Sequence, residues 1–283
     1  MGRQPAANDK GDEKMLWDTH MHCRFSGDSE ADPEDMIAAA QATGLDGICF
    51  TDHLDYDFPS DPPDLFLLDP DAYEQAIHAL AKKYEGIFPV RCGIEIGVQP
   101  HLHEKLHDVV RMHDFDQVIC SSHAIDGKDP YYKTFFEGRE EQAAYRRYFE
   151  SILENLEGYS DFDVYGHIDY VVRYGPNTNK FYSYDAYGDV LDAILKKLID
   201  MGKGIEINTG GFKYGLGHPN PCEDILKHYR SYGGEIITIG SDAHEPKHVA
   251  YDFAKVPQIL REAGFTYYTV FEKRRPQFLP LPE

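Results

Sequence analysis

Basic residues are scarce in this chain: 28 Lys and Arg stand against 49 Asp and Glu, a formal net charge of −21. A surface of that sign repels nucleic acid and anionic membranes, so neither is expected as a partner. Cysteine is sparse as well, with five residues (Cys23, Cys49, Cys92, Cys120 and Cys222) that are odd in number and widely spaced, with no CxxC pair. Neither a disulfide framework nor a zinc ribbon follows from that pattern, and a reducing cytoplasm suits it best. No apolar run approaches the roughly 20 residues of a membrane helix. Repeats and low-complexity blocks are absent too, and nothing specifies an oligomeric state. Residues 1–14, MGRQPAANDKGDEK, are polar and lack the apolar middle of a signal peptide. They are expected to form a disordered tail, with a single domain over residues 15–283.

What the chain does contain is a regular alternation. Short apolar or β-branched runs at 16–22, 47–52, 90–96, 117–122, 164–167, 204–208 and 235–241 read as strands. Helical patterns at 33–43, 71–84, 139–156 and 184–201 lie between them, all four ending just before a glycine or within two residues of one. Such alternation argues for a parallel sheet with crossover helices. Each strand ends in a polar residue able to bind metal or phosphate: His20/His22, Asp52/His53, Glu95, His123, His167, Asn208 and Asp242/His244. An open sheet would spread these ends along a line. A closed barrel brings them to one face, so the expected fold is an α/β, distorted seven-stranded TIM-like barrel. The run 267–271 reads as an extra strand that packs outside or closes the barrel imperfectly.

On a strand, residues 18, 20 and 22 of DTHMH share a face, so two imidazoles can grip one ion with Asp18 beneath them as an acceptor that fixes a ring tautomer. Asp242-Ala243-His244 repeats the spacing. A single HxH is weak evidence. Six histidines at strand ends with Glu95 and Asp242 are not, because burying them together without cations would leave costly unpaired polar groups. A donor set of imidazole and carboxylate without thiolate suits Zn²⁺, Fe²⁺ or Mn²⁺. The run His103-Glu104-Lys105-Leu106-His107 matches the HExxH of zinc proteases, but its charged flanks read as a solvated helix face, and the match is taken as accidental. His78, His218, His228 and His248 lack ligand-like neighbours in sequence and are expected at the surface.

These residues carry a resemblance. DTHMH (18–22), TDH (51–53), Glu95 in GIEIG, SSH (121–123), GHID (166–169) and SDAH (241–244) resemble the motifs of the PHP (polymerase and histidinol phosphatase) superfamily. Within it, GIEIGVQPH (93–101), DPYYKTFFEG (129–138), FDVYGHIDYVVRYG (162–175) and EINTGG (206–211) are similar to the histidinol-phosphate phosphatases. The resemblance implies a distorted seven-stranded barrel and three divalent ions. His20, His22, Glu95 and Asp242 would hold the first, Glu95, His123 and His167 the second, and Asp28, His53 and His244 the third. Glu95, Asp242 and His244 are the expected catalytic positions, and Asp52 would orient an imidazole or move a proton. The implied reaction is hydrolysis of a small phosphate ester, L-histidinol phosphate, with a nucleotide phosphoesterase and a non-catalytic metal-binding module as alternatives. Arg173, in the loop that leaves the His167 strand, offers a planar fork of donors for the phosphate, and Asn208 is a second candidate for holding substrate.

Overall fold

Parallel strands covered on both faces need apolar runs rather than alternation, and those of this chain supply them. The computed structural model describes residues 16–283; the expected tail at 1–14 lies outside the described residues. Seven parallel strands run in the order β1 (Trp17–Met21), β2 (Gly47–Phe50), β4 (Val90–Gly97), β5 (Gln117–Ser121), β6 (Val164–Tyr165), β7 (Gly204–Asn208) and β8 (Ile237–Gly240). A two-residue strand, β3 (His53–Leu54), extends the β2 side upward and aligns His53 with Glu95 of β4. All seven expected strands are present; β7 has the expected bounds, β4 runs one residue further, and the other five are shortened, β6 to two residues. The barrel is nearly closed. Between β1 and β8 the ladder shrinks to a parallel bridge between Met21 and Ala243, with Asp242 N–H donating to the His20 carbonyl and His22 N–H to that of Ala243, both at 2.8 Å. Asp18 spans the same seam: its carboxylate accepts the backbone N–H of Ser241 at 2.9 Å and of Ala250 at 3.1 Å.

The helices are α1 (Pro33–Ala42), α2 (Pro70–Lys83), α3 (His103–Met112), α4 (Glu141–Gly158), α5 (Tyr184–Asp200), α6 (Gly210–Lys213), α7 (Glu223–Ser231) and α8 (Val256–Glu262). Their starts are written locally. Asp32 and Asp69 cap α1 and α2 just ahead of a proline at the first helical position, and Ser183 caps α5. The four expected helices form as α1, α2, α4 and α5, the HEKLH run lies on α3, and α6, α7 and α8 add to them.

The run at 267–271 does not join the barrel. It forms β9 (Tyr267–Glu272), which pairs antiparallel with β10 (Arg275–Pro280), a strand not anticipated from sequence. The hairpin sits under the N-terminal strand ends. Its Arg274 pairs with Asp163 at 2.7 Å and Asp161 at 3.1 Å, just before β6. Thr269 accepts the N–H of Ile237 at the start of β8, and Phe271 packs on Ile119 and Val164. With the lower mouth covered, the C-terminal face is the open one. Among the described residues no helix is long and apolar enough to cross a membrane.

Candidate metal centre

Period-two alternation on β1 carries His20 and His22 to the upper mouth, where both are buried. Glu95, fully buried near the top of β4, lies at the centre of what they face. Its Oε2 is 3.2 Å from His20 Nε2, 3.6 Å from His22 Nε2 and 3.0 Å from His53 Nδ1. Its Oε1 is 2.9 Å from His167 Nε2 and 3.3 Å from His123 Nε2, and accepts the Ser121 hydroxyl at 2.7 Å. Asp242 joins the first group, with Oδ1 3.4 Å from His22 Nε2. It adopts a left-handed backbone (φ 55), uncommon outside glycine, and the seam hydrogen bond to His20 holds it there. Asp28, from the loop after β1, reaches His244 Nε2 at 3.1 Å and His53 Nε2 at 3.9 Å. The His22 ring stacks between His53 at 4.2 Å and His244 at 4.1 Å. All nine residues expected to bind metal therefore converge on one site.

The far side of each ring shows what the near side is for. His20 Nδ1 meets Glu206 at 2.6 Å, His22 Nδ1 meets the Ser26 hydroxyl at 3.0 Å, and His123 Nδ1 meets Asp55 at 3.0 Å. Ser26 in turn donates to Asp52 at 2.8 Å, so Asp52 orients His22 through a hydroxyl. Acceptors at Nδ1 leave Nε2 as the lone-pair nitrogen, the arrangement of a metal-ligating imidazole. Correspondingly, His20 Nε2, His22 Nε2, His244 Nε2, His53 Nδ1, His167 Nδ1 and Glu95 Oε2 are buried without a hydrogen-bond partner. Groups of this kind are expensive unless something else satisfies them. Divalent cations fit the donor set, since His22, His53 and His244, then His20, His22 and Glu95, then Glu95, His123 and His167 each present atoms within 4.8 Å of one another.

Electrostatics divide the rings. Burial disfavours charge on His20, His53 and His123, but the neighbouring carboxylates Glu206, Glu95, Asp28 and Asp55 outweigh it and hold these three above the usual imidazole range, a demand for positive charge that cations would meet. Burial and the neighbouring His244 and His53 push His22 well below its usual range, keeping it neutral as a ligand must be. Burial opposes charge on Glu95 and Asp242 as well, yet the imidazoles around them hold both carboxyls well below the usual range.

Two glycines permit the tight contacts. A Cβ at Gly240 would lie 2.3 Å from Glu206 Oε1 and 2.4 Å from His20 Cβ, and one at Gly97 would overlap the Asp55 carboxylate.

Some expectations need correcting. Asp18 reaches backbone N–H groups and fixes the β1–β8 seam; the tautomer of His20 is set by Glu206. Asn208 is fully buried, donating toward Glu206 and Asp242 and accepting from Arg173 at 2.9 Å, and supports the cavity from behind without lining it. Arg173 does line it, but as a braced residue: Nε donates to Asn220 at 2.7 Å, Nη1 to Asp242 at 2.9 Å and Nη2 to Asn208. Of the four histidines expected at the surface only His78 is exposed; His228 stacks on Tyr184 at 3.9 Å, and His218 and His248 are half-buried. The HEKLH pair stays away from the centre, with His107 Nδ1 on Asp161 at 2.7 Å and His103 against Tyr159.

Above the centre the mouth narrows to a cavity of about 290 Å³ walled by Phe58, Phe66, Tyr131, Tyr170, Tyr174 and Tyr214. Neither these aromatics nor Ser26, Asp55, Ser121, Glu206 and Asn220 were anticipated from sequence.

Comparison with known proteins bears on the whole assembly. The PHP domain profile matches residues 18–210. A histidinol-phosphatase of Lactococcus lactis is 31% identical over 258 residues, covering 90% of this chain and 93% of the relative. A Clostridium acetobutylicum protein named a probable histidinol-phosphatase is 31% identical over 263 residues, covering 92% and 98%. The crystal structure of the L. lactis histidinol phosphate phosphatase, complexed with zinc, L-histidinol and phosphate, superposes with a TM-score of 0.84 at 30% identity, over 93% of this chain and 98% of that one. Profile, relatives and barrel agree, and the chain belongs to the PHP domain family.

Proposed function

We propose that this protein hydrolyses L-histidinol phosphate to L-histidinol and inorganic phosphate, at a centre of three divalent metal ions in the barrel mouth. One observation carries the reading: the two oxygens of Glu95 face separate sets of imidazoles, and on the Oε2 side Glu95 Oε2, His20 Nε2, His22 Nε2 and His53 Nδ1 are all buried without a hydrogen-bond partner. The zinc, L-histidinol and phosphate held by the L. lactis relative support the substrate and favour zinc over iron or manganese. His20, His22, Glu95 and Asp242 would hold the first ion, Glu95, His123 and His167 the second, and Asp28, His53 and His244 the third.

When bound, such ions neutralise phosphoryl charge and make water a competent nucleophile near neutral pH. The protein's own groups do the rest. Glu206, Asp55 and the Asp52–Ser26 pair lock three rings in the lone-pair-inward tautomer, so the site is organised before substrate arrives. Glu95, Asp242 and His244, as donors to the ions that would contact the phosphate, are the catalytic residues of this reading. Arg173 presents a planar fork to the phosphate, immobilised by Asn220, Asn208 and Asp242 so that little freedom is lost on binding. The aromatic wall gives the ester apolar surface to pack against. A mouth this small suits a compact monoester. Five free thiols support a cytoplasmic location within the same reading.

Metal-reconstituted protein assayed against L-histidinol phosphate, a mononucleotide and p-nitrophenyl phosphate tests the assignment. The highest kcat/KM is expected for L-histidinol phosphate. Faster hydrolysis of the mononucleotide would overturn the substrate, and inactivity toward all three would leave a metal-binding module.

A further inference from the structure

Three protein acceptors hold Arg173, but only Asp242 among them carries charge, and it belongs to the proposed ligands of the first ion. A guanidinium has five N–H donors. The acceptors take one each on Nε, Nη1 and Nη2, which leaves one on either Nη for the cavity that the residue lines. Crowding confines the fork further, since a Cβ at Gly210 would lie 3.0 Å from Nη2. Behind Asn220 stands a further carboxylate, Asp169, which is fully buried and does not line the cavity.

In the loop that leaves β6, Asp169 precedes and Arg173 closes a single 3-10 helical turn, Tyr170–Arg173. Asn220 arrives from the other side, on a loop that exchanges two backbone hydrogen bonds of 2.8 Å with Asn208 at the end of β7. Its side-chain Nδ2 donates to Asp169 Oδ1 at 2.5 Å, and its Oδ1 accepts from Arg173 Nε at 2.7 Å. The amide thus stands between a carboxylate, which only accepts, and a guanidinium, which only donates, and a single orientation of it satisfies both. Asp169 Oδ2 is pinned in turn by the Tyr182 hydroxyl at 2.6 Å and the backbone N–H of Cys222 at 2.9 Å. Donation therefore runs one way, from Arg173 through Asn220, and ends on the buried carboxylate.

We propose that Asp169 is a positioning residue for phosphate binding: by dictating the orientation of the Asn220 amide, it keeps an oxygen on Arg173 Nε and the free N–H groups of the fork turned to the substrate. The proposal rests on the function above and on Arg173 as its phosphate contact. Ions in the mouth would draw on Asp242, whereas the relay through Asn220 is a support that metal binding does not compete for. Asp169→Asn is the revealing change. The Tyr182 hydroxyl and the Cys222 N–H require an oxygen where Oδ2 stands, so the introduced NH2 group faces Asn220. Asn220 must then reverse, and its own NH2 meets the guanidinium, donor against donor. The fork is displaced with no change in side-chain volume and none in any residue proposed to touch metal or phosphate.

The test is calorimetric binding of inorganic phosphate to the metal-loaded protein, with metal content measured on the same samples. Asp169→Asn should weaken phosphate binding about 10- to 100-fold, the scale of a hydrogen bond to a charged group, at wild-type metal content. The exchange Asp169→Asn/Asn220→Asp again sets a donor against an acceptor and an oxygen against Arg173, and should recover wild-type affinity. In an Arg173→Ala background Asp169→Asn should have no further effect, because its action runs through the guanidinium. Wild-type affinity in Asp169→Asn, an equal loss with and without Arg173, or an exchange variant no better than the single one would overturn the role of Asp169 alone. If the single variant does not fold, the exchange variant decides by itself, and failure of both to fold would make the network a structural one and overturn the role. Metal-loaded wild type that binds no phosphate would overturn the function beneath the proposal as well.

Discussion

Nδ1 of His20 lies 2.6 Å from Oε1 of Glu206, and the second oxygen of that carboxylate accepts the backbone N–H of His167 at 3.0 Å. One buried side chain thus orients a ring on β1 and the loop that bears another donor, across the interior of the barrel. Burial disfavours charge on His20, but Glu206 and Glu95 outweigh it and hold the ring well above its usual range. A negative neighbour at Nδ1 also makes Nε2 a better donor to a cation.

Glu206→Gln should keep the volume and lose that polarisation. The expected effect is a fall of roughly 10- to 100-fold in metal affinity or in kcat/KM. Metal content and kinetics of one preparation, compared with wild type, check this; unchanged values for both would show that Glu206 serves packing only.

Arg173 is held by three protein acceptors and lies beside Asp242. Arg173→Ala is expected to reduce kcat/KM by roughly 2–4 kcal/mol equivalent while the metal content stays as in wild type. Arg173→Lys should recover little, because an ammonium cannot reproduce the fork. Wild-type kinetics in Arg173→Ala would remove the phosphate contact from the account.

The HEKLH helix separates a motif match from a site. His107 pairs with Asp161 and His103 leans on Tyr159, both outside the barrel mouth. The double variant His103→Ala/His107→Ala should retain wild-type metal content and turnover, with a small loss of stability at most, since a half-exposed ion pair contributes about 0–1 kcal/mol. Loss of a whole equivalent of metal would show that this pair binds an ion after all.

The barrel and its ligands were legible because parallel strands bury both faces and expose chemistry only at their C-terminal ends, which makes a polar residue closing an apolar run informative by position. The same alternation holds a signal for two residues that were overlooked. Asp55 lies two positions beyond His53, and Glu206 two before Asn208 on β7, so each shares a face with a residue already singled out. Asp18 shows the limit of that rule. It shares a face with His20, yet it turns to the N–H groups of Ser241 and Ala250, because an incomplete ladder at the seam leaves those donors to be satisfied. The bracing of Arg173 by Asn220 and the Ser26 bridge from Asp52 to His22 depend on loop conformation and on which chain segments meet, which no local spacing encodes. The β9–β10 hairpin was half legible: its first strand shows as an apolar run, whereas its second, Arg275–Pro280, is largely exposed and lacks one.

Everything above depends on Glu95 joining two metal positions, and metal analysis reads that directly. Wild-type protein purified after growth in supplemented medium should carry about three divalent ions per chain, none with a cysteine ligand, and Glu95→Gln should bind fewer and lose turnover by orders of magnitude. Wild-type protein holding no more than a trace of metal, or Glu95→Gln retaining full occupancy and full activity, would contradict the account.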